Sequence, residues 1–231
     1  MFHNRADAAL QLAKELKSRS FHDPLVLAIP RGGVVVGSML ARELGADLDI
    51  ILARKLRAPN QPEFAIGAIS ETGEIYLNPH ADDALADEDD YLALEKRHQM
   101  QEIARRNRAL RGNRPPARID GRSVIVTDDG IATGSTMIAA LKEIRLLQPQ
   151  ELIVAVPVAA AESLELVRNW ADDVVCLLSP DDFWAVGHYY EEFNAIEDEQ
   201  VIATLDEAKL PPEEKHIAPA EARTVDLGAG D

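Results

Sequence analysis

The sequence predicts an α/β fold in which a mostly parallel central sheet is flanked by helices. Short apolar runs of strand length alternate along the chain with longer segments whose apolar residues recur at helical spacing. Two of the runs end in glycine-bearing turns that open a helix, at residues 30–33 and 130–134. Repeated strand–helix–strand units join parallel strands by right-handed crossovers, so ligand sites are expected at the carboxyl edge of the sheet.

The first strand–turn–helix unit follows an amphipathic helix that runs from about Asn4 to Arg19. Leu25 to Ile29 is a continuous apolar run, typical of a strand that is buried on both faces. The helix after the turn spans Val34 to Leu44 and is stopped by a glycine. A further apolar run, Leu48 to Ala53, predicts the next strand of the sheet.

A β-hairpin and a long basic helix come next. The runs Phe64 to Ile69 and Glu74 to Leu77 flank a turn at residues 71–73, a pattern that indicates a hairpin. An acidic stretch, residues 82–90, leads into a helix from about Asp89 to Leu110 with arginines crowded in its later turns. Those arginines could meet a phosphate, a partner subunit or nucleic acid. We favour a solvated face, because this helix lies outside the strand–helix alternation.

The second half of the chain repeats the alternation and then changes character. Its predicted elements are a strand that ends at residue 128, a helix to Leu147, a strand over Leu152–Val156, a helix over about Ala160–Trp170 and a strand over Val174–Leu178. A last helix is predicted from Ile196 to Leu210, and the charged, Ala- and Gly-containing tail from Pro211 is expected to be disordered. We therefore predict a single domain over residues 1–210 and a tail over residues 211–231.

Composition restricts the function classes. The chain has 231 residues, with 24 Lys plus Arg against 40 Asp plus Glu and a formal net charge of −16. This average field disfavours nucleic-acid binding, and an anionic ligand would need local cations, with Mg²⁺ the expected supplement.

Cys176 is the only cysteine, so it cannot form an intramolecular disulfide, and we predict that it is a buried strand residue. The N-terminus has no signal-peptide pattern and no run reaches membrane-spanning length, so we expect a soluble, cytoplasmic protein with no membrane contact.

One stretch, Val124 to Thr136, combines features that suit a sugar phosphate. It reads VIVTDDGIATGST: an apolar strand, two adjacent carboxylates, a glycine-bounded loop and hydroxyls that open a helix. Gly130 and Gly134 permit φ > 0 and close backbone approach, so that successive N–H groups converge on an anion at a helix N-terminus. The carboxylates suit hydroxyls or a metal ion at an open rim. A ribose 5-phosphate, with a diol at one end and a phosphate at the other, would fit.

This stretch resembles the phosphoribosyl-pyrophosphate (PRPP) motif of type I phosphoribosyltransferases, whose fold is a Rossmann-like parallel sheet. The resemblance covers about residues 25–193 and implies that Asp128 and Asp129 hold the ribose diol, directly or indirectly with Mg²⁺. It assigns the 5′-phosphate to the loop, comprising Gly130, Ile131, Ala132, Thr133, Gly134, Ser135 and Thr136. A Walker A motif is excluded because no Gly-Lys-Ser/Thr follows the loop. An isolated Asp-Asp-Gly would indicate an ordinary Asp-capped turn before a helix. The complete run of strand, paired acids, glycine loop and hydroxyls favours the phosphate site instead.

Two positions depart from the resembled pattern. Where the 6-oxopurine enzymes of the family carry an Asp as general base, this chain has Ala132, as adenine-type members do. A hypoxanthine or guanine acceptor is therefore disfavoured. Gly130 replaces the usual Val or Ile, which should loosen the loop.

A second site candidate is the Pro30-Arg31-Gly32-Gly33 turn. It repeats the strand, glycine turn and helix arrangement, and Arg31 offers a bidentate donor to phosphate. The resemblance implies that Arg31, Gly32 and Gly33 grip pyrophosphate in a loop that often contains a cis peptide. It also implies a flexible flap, which we place within residues 54–78, with Arg54 and Lys55 as further pyrophosphate ligands. A solvated basic turn is the alternative for these two cations.

Aromatic residues gather at residues 179–193, SPDDFWAVGHYYEEF. Aromatic faces stack on planar heterocycles, although such clusters are more often core. The resemblance implies a small C-terminal hood here, in which Phe183 or Trp184 stacks on the acceptor.

The implied reaction transfers the phosphoribosyl group of PRPP, with Mg²⁺, to a nitrogen acceptor such as a nucleobase and releases pyrophosphate. Asp128 and Asp129 would orient the ribose and Arg31 would stabilise the leaving group. Water could replace the acceptor. The alternatives are a PRPP- or nucleotide-sensing regulator without turnover and, less favoured, nucleic-acid binding through the basic helix. A homodimer is what the family suggests.

Overall fold

The computed structural model describes residues 1–59, 61–79, 81–85, 90–112 and 114–208. In chain order its elements are α1 (Arg5–Leu16), β1 (Leu25–Ala28), α2 (Gly32–Leu44), β2 (Asp47–Ile50), β3 (Ala53–Ala58), β4 (Gln61–Ser70), β5 (Ile75–Leu77), α3 (Ala81–Leu85), α4 (Tyr91–Arg111), β6 (Ser123–Thr127), α5 (Ser135–Leu146), β7 (Glu151–Val158), α6 (Ala161–Arg168), β8 (Asp173–Leu178) and α7 (Asp198–Glu207). The predicted disordered tail lies outside the described residues.

The central sheet has five strands in the order β2-β1-β6-β7-β8, and every pairing is parallel. Alternate strand residues feed two apolar cores, one on each face. On one face α1, α2 and the hairpin pack against the sheet, and on the other face α5 and α6 pack against it. The predicted α/β class with a parallel sheet is therefore confirmed.

The sheet register sets the position of the candidate site. β1 and β6 are neighbours, and Ala28 pairs with Thr127 at the last position of both strands. The turn at residues 30–33 and the loop at residues 128–134 therefore leave the sheet side by side at its carboxyl edge. Parallel sheets carry their ligands at this edge.

The predicted strand Leu48–Ala53 is two elements instead of one. β2 ends at Ile50, and Ala53 begins β3, which pairs antiparallel with β4. The chain leaves the sheet between them, where the Leu52 N–H donates to Oε1 of Glu71 at 2.7 Å. The cationic run that follows is consequently a strand of a three-stranded antiparallel sheet, β3-β4-β5, and not a solvated turn.

The predicted hairpin is confirmed, and its β4–β5 turn is anchored to the domain. The Thr72 N–H donates to Oε2 of Glu143 on α5 at 3.1 Å, while Glu71 accepts from Nη1 of Arg111 at 2.6 Å. Arg111, at the end of α4, also pairs with Asp49 at 3.3 Å, and its side chain is only 5% exposed. Arg111 is thus buried against the hairpin, whereas Lys96, Arg97, Arg105 and Arg108 lie on the solvated face that was expected.

One smaller expectation needs correction. Cys176 lies in β8 as predicted but is only half-buried, because β8 is an edge strand of the sheet. The N-terminal residues pack on the hood: the Phe2 N–H donates to the Tyr189 carbonyl at 2.8 Å. Within the described ranges, no helix combines the length and apolar character needed to cross a bilayer.

Replacing Arg111 with leucine should lower the free energy of unfolding by about 3 to 5 kcal/mol, because it leaves the buried carboxylates of Glu71 and Asp49 without their cation. Burial already raises the pKa of Glu71, and Arg111 opposes that rise. Urea unfolding measures the effect. Arg108→Leu, on an exposed position of the same helix, is the control and should cost less than about 1 kcal/mol. Equal effects of both substitutions would contradict the anchoring role.

Candidate active site

The two carboxylates at the end of β6 face different surroundings. Asp128 lines a cavity of about 530 Å³ that lies between the β1 turn, the hairpin and α4, and also a smaller pocket of about 170 Å³ under the following loop. Asp129 lines neither. Its Oδ2 accepts from Nε of Arg5 at 2.8 Å, and its backbone carbonyl accepts from the Tyr190 hydroxyl at 2.6 Å.

Arg5 is a site residue that the sequence reasoning missed. Its side chain is 9% exposed, its guanidinium lies 3.8 Å from the centre of the Phe193 ring, and its Nη1 donates to the Asn194 carbonyl at 2.8 Å. A buried arginine that touches both the hood and an active-site carboxylate fixes one to the other. Nothing in its local sequence separates it from the other charged residues of α1.

Burial raises the pKa of both carboxyl groups. The pKa of Asp128 is raised well above its usual range by burial and then by the neighbouring charge of Asp129. Burial also raises the pKa of Asp129, and the hydrogen bond and charge of Arg5 oppose that rise. The pair therefore favours a ligand that brings hydroxyl donors or a cation.

The loop after Asp129 presents unpaired amides. Within the described ranges, the backbone N–H groups of residues 132–136 donate to no other residue. Ala132 and Thr133 are exposed, and Gly134 has φ +75°, which a side chain would strain. Ser163 supports the loop from α6 through a 2.6 Å hydrogen bond from its Oγ to the Ala132 carbonyl. The result is a concave row of donors at the start of α5, a suitable cradle for a phosphate.

Gly130 serves a different purpose from the one expected. It does not have a positive φ, and a Cβ here would lie 2.7 Å from Val186 and 2.9 Å from Val158. The space that a larger residue would occupy is filled by the hood. The loop is therefore closed at this point, contrary to the expected loosening.

The turn at residues 30–33 packs directly against the carboxylates. The Pro30–Arg31 peptide is cis. A Cβ on Gly32 would lie 1.9 Å from Oδ2 of Asp129, and one on Gly33 would lie 2.9 Å from the Cα of Asp128. Only glycine fits at either position, which brings the two loops together.

Arg31 does not line the cavity in this structure and pairs with acids at the start of α7 instead. Its Nη1 lies 3.2 Å from Oε2 of Glu197 and 3.9 Å from Oδ1 of Asp198, at the start of α7. Its neighbour in the site, Pro30, does line the 530 Å³ cavity. Arg31 reaches a ligand there only by leaving these acids.

The cavity beside Asp128 is basic despite the acidic average of the chain. Its lining includes Arg54, Lys55 and Arg57 of β3 and Arg106 of α4. Arg54 donates to Oε1 of Gln99 at 2.7 Å, and burial together with the nearby charge of Arg106 lowers its pKa. The structure thus brings Arg54 and Lys55 to the cavity as predicted, and it adds Arg57 and Arg106.

An aromatic cleft of about 770 Å³ lies on the other side of the phosphate loop, between the hairpin, α6 and the hood. Its lining includes Phe64, Tyr76, Phe183 and Trp184 together with Ala132. Phe183 stacks on Tyr189 at 5.4 Å, whereas Trp184 is 82% exposed. Of the two candidates for stacking, Trp184 is the more exposed, and its ring centre lies 6.1 Å from that of His188.

The donor set suits a metal ion only in part. Among the described residues, no three His, Cys, Asp or Glu side chains cluster as a metal site. Asp128 lines a cavity, so its carboxylate can serve as a single ligand to a metal ion. A bound cation would also offset the effect of burial, which disfavours the charged form of this carboxylate. Mg²⁺ is commonly held by one or two carboxylates, substrate phosphates and water, and this arrangement fits that mode.

Comparison with known proteins supplies the family. A family model described as "Phosphoribosyl transferase domain" matches residues 2–193. Two relatives from strains of Mycobacterium tuberculosis, which carry the provisional name phosphoribosyl transferase, are 38% identical over 235 residues; the match covers 99% of this chain and 50% of each relative. The chain therefore spans about half the length of these relatives. The crystal structure of TT1426 from Thermus thermophilus is similar, with a TM-score of 0.77, 43% identity, and coverage of 89% of this chain and 98% of that chain.

Replacing Arg5 with methionine should destabilise the protein more at about pH 7.5 than at about pH 4.5, by roughly 1 to 3 kcal/mol in the free energy of unfolding. A carboxyl group whose folded pKa is raised costs stability as the pH rises from its unfolded pKa to its folded pKa. Loss of Arg5 raises the pKa of Asp129 further, so the cost grows toward neutral pH.

Denaturant unfolding at the two pH values measures this difference. Lys14→Met, on the exposed face of the same helix, is the control and should show little dependence on pH. An equal loss at both pH values for Arg5→Met would mean that Arg5 acts through packing on Phe193 and not through its charge.

Proposed function

The chain belongs to the phosphoribosyl transferase domain family, a family of glycosyltransferase-type enzymes, and from this membership we propose that it transfers the 5-phosphoribosyl group of PRPP to a nitrogen acceptor. The observation that carries the proposal is the row of unpaired amides at residues 132–136 directly beside Asp128. Together they match the phosphate and the diol of a ribose 5-phosphate. The proposed products are a ribonucleotide-like N-glycoside and pyrophosphate.

In the proposed complex, the 5′-phosphate lies on the amides of the loop and at the N-terminus of α5, where the helix dipole favours an anion. The hydroxyls of Thr133, Ser135 and Thr136 are within the same loop and add donors. Asp128 accepts from the ribose hydroxyls. Asp129, held by Arg5, supports that position from behind and offers its remaining oxygen.

The leaving pyrophosphate would occupy the basic cavity next to Pro30. Arg54 and Lys55 supply positive charge there. Gly32 and Gly33 let the β1 turn pack against Asp129 and Asp128 beside this cavity, because neither residue has a side chain. Bound Mg²⁺ would neutralise charge on the leaving group, with Asp128 as its protein ligand. These groups stabilise the pyrophosphate as the bond from C1 to its oxygen breaks with the electron pair.

The acceptor would approach from the aromatic cleft, where the exposed Trp184 offers an aromatic ring to a planar heterocycle. Its nitrogen lone pair attacks C1 of the ribose as the pyrophosphate leaves, through an oxocarbenium-like transition state. Ala132 lines this cleft, and its side chain cannot accept a proton. The favoured acceptor is therefore one that can lose its proton without the help of a base at position 132. We propose a nucleobase or related heterocycle, with 6-oxopurines disfavoured.

A non-catalytic PRPP or nucleotide sensor is the second candidate. The absence of a proton acceptor at Ala132 is the observation that favours it, because a sensor needs the phosphate cradle and Asp128 but no base. Pyrophosphate release from PRPP and Mg²⁺ across a panel of heterocycles, with water as the blank, separates the two. Release with any acceptor supports the transferase; PRPP binding without release supports the sensor.

Asp128→Asn should abolish PRPP binding and leave the fold intact, because it replaces the carboxylate that lines the cavity and keeps the buried ion pair between Arg5 and Asp129. Calorimetric titration with PRPP and Mg²⁺ measures the loss. Asp120→Asn with Asp182→Asn neutralises two exposed acids and serves as the control. Affinity retained by the first variant would count against the assignment.

Trp184→Ala should raise the KM for the acceptor roughly tenfold and leave the Kd for PRPP unchanged, because stacking on a base contributes on the order of 1 to 3 kcal/mol. Trp184→Phe, which keeps an aromatic face, should retain most of the affinity. A KM that does not change in either variant would place the acceptor elsewhere.

A further inference from the structure

The basic cavity contains more cations than the expected pyrophosphate ligands. Arg54, Lys55 and Arg57 project from β3, and Arg106 reaches the same cavity from α4. Across the described parts of the chain, no acidic side chain forms an ion pair with any of the three β3 cations. Crowded cations with no acidic partner are unfavourable unless an anion joins them.

Arg106 differs from its neighbours on α4. Its side chain is 19% exposed, whereas that of Arg105 is 60% exposed and pairs with Glu102 on the same helix. The acid nearest to Arg106 is Asp198, at 3.7 Å from Nη2 to Oδ1. This distance is too long for a hydrogen bond, so the attraction between the two side chains is electrostatic.

The same oxygen of Asp198 faces the second arginine of the region. It lies 3.9 Å from Nη1 of Arg31, and it is buried without any hydrogen-bond partner among the described residues. A buried carboxylate oxygen with two guanidiniums at ion-pair distance and no hydrogen bond is poorly satisfied. Such an acid neutralises the two arginines without forming strong bonds to either of them.

We propose that α4 contributes Arg106 to the pyrophosphate site, and that Asp198 is a built-in counter-ion which the incoming pyrophosphate displaces from Arg106 and Arg31. The proposal rests on the proposed function, since it concerns the same leaving group. It adds a ligand from outside the parallel sheet and the β1 turn, and it gives α7 a role in the site.

Charge and geometry together support the exchange. Pyrophosphate can form charge-assisted hydrogen bonds to both guanidiniums, which Asp198 does not form. Arg31 pairs with Glu197 and Asp198 and does not line the cavity, so its release from these acids would let it reach the ligand. The cations of β3 already line the cavity and complete the site.

The first experiment compares two neighbouring arginines by calorimetric titration of the full chain with magnesium pyrophosphate. Arg106→Gln should weaken binding about tenfold or more, and Arg106→Lys should restore part of it. Arg105→Gln removes the same charge from the exposed face of the helix and should weaken binding less than about twofold. Equal losses in the Arg105 and Arg106 variants would overturn the proposal.

The second experiment tests the displaced counter-ion with a matched pair on α7. Asp198→Asn should tighten pyrophosphate binding about threefold, because the competing charge is gone. Glu199→Gln removes the same charge one residue along and should have less than half that effect, because Glu199 is exposed and, among the described residues, forms no ion pair with either arginine. Binding that weakens in Asp198→Asn would show that Asp198 positions the arginines instead of competing for them, and would overturn the exchange.

Failure of this inference and failure of the proposed function give different results. If the unmodified protein binds neither PRPP nor magnesium pyrophosphate, the proposed function falls and this inference falls with it. If it binds both, but Arg106→Gln behaves like Arg105→Gln, only the inference falls.

Discussion

The ion pair between Arg5 and Asp129 is the interaction on which the arrangement of the site depends. Two adjacent carboxylates end a fully buried strand, and burial raises the pKa of both. One cation, buried beside them, keeps Asp129 in place and leaves Asp128 to face the cavity. Because Arg5 also contacts Phe193 and the Asn194 carbonyl, the same residue connects the N-terminal segment, the hood and the end of β6. The position of the hood is therefore fixed by its contact with Arg5, the same residue that holds Asp129.

Segregation of charge explains how a chain with a formal net charge of −16 could hold an anionic substrate. The cations of β3 and α4 converge on one cavity at the carboxyl edge of the sheet, while many of the acids lie on the outer surface. The three-stranded antiparallel sheet makes this possible, since its strand β3 carries Arg54, Lys55 and Arg57 to the cavity and its β4–β5 turn is anchored through Glu71 and Arg111. The arginines of α4 thus differ in their surroundings: Arg111 is buried in the anchor, and Arg106 lines the cavity.

The sequence predicted those parts of the molecule whose signal is local. Continuous apolar runs located the strands of the parallel sheet, and glycines with hydroxyls and acids located both loops at its edge. It did not predict Arg5, Arg106 or Asp198, because each acts across more than 90 residues of chain and resembles an ordinary surface charge in its own helix. The split of Leu48–Ala53 into β2 and β3 was missed for a similar reason, since it depends on a hydrogen bond to Glu71 in the hairpin turn. Gly130 was assigned a conformational role when its real constraint is the contact with Val186.

The central claim is that the edge of β6 holds a ribose 5-phosphate between Asp128 and the amides of the loop. A crystal structure of the protein with ribose 5-phosphate tests it most directly. We predict the phosphate on the backbone N–H groups of residues 132–136 and the ribose hydroxyls on Asp128, with Arg5 still paired to Asp129. A phosphate bound elsewhere, or a loop whose amides turn away from the ligand, would contradict it.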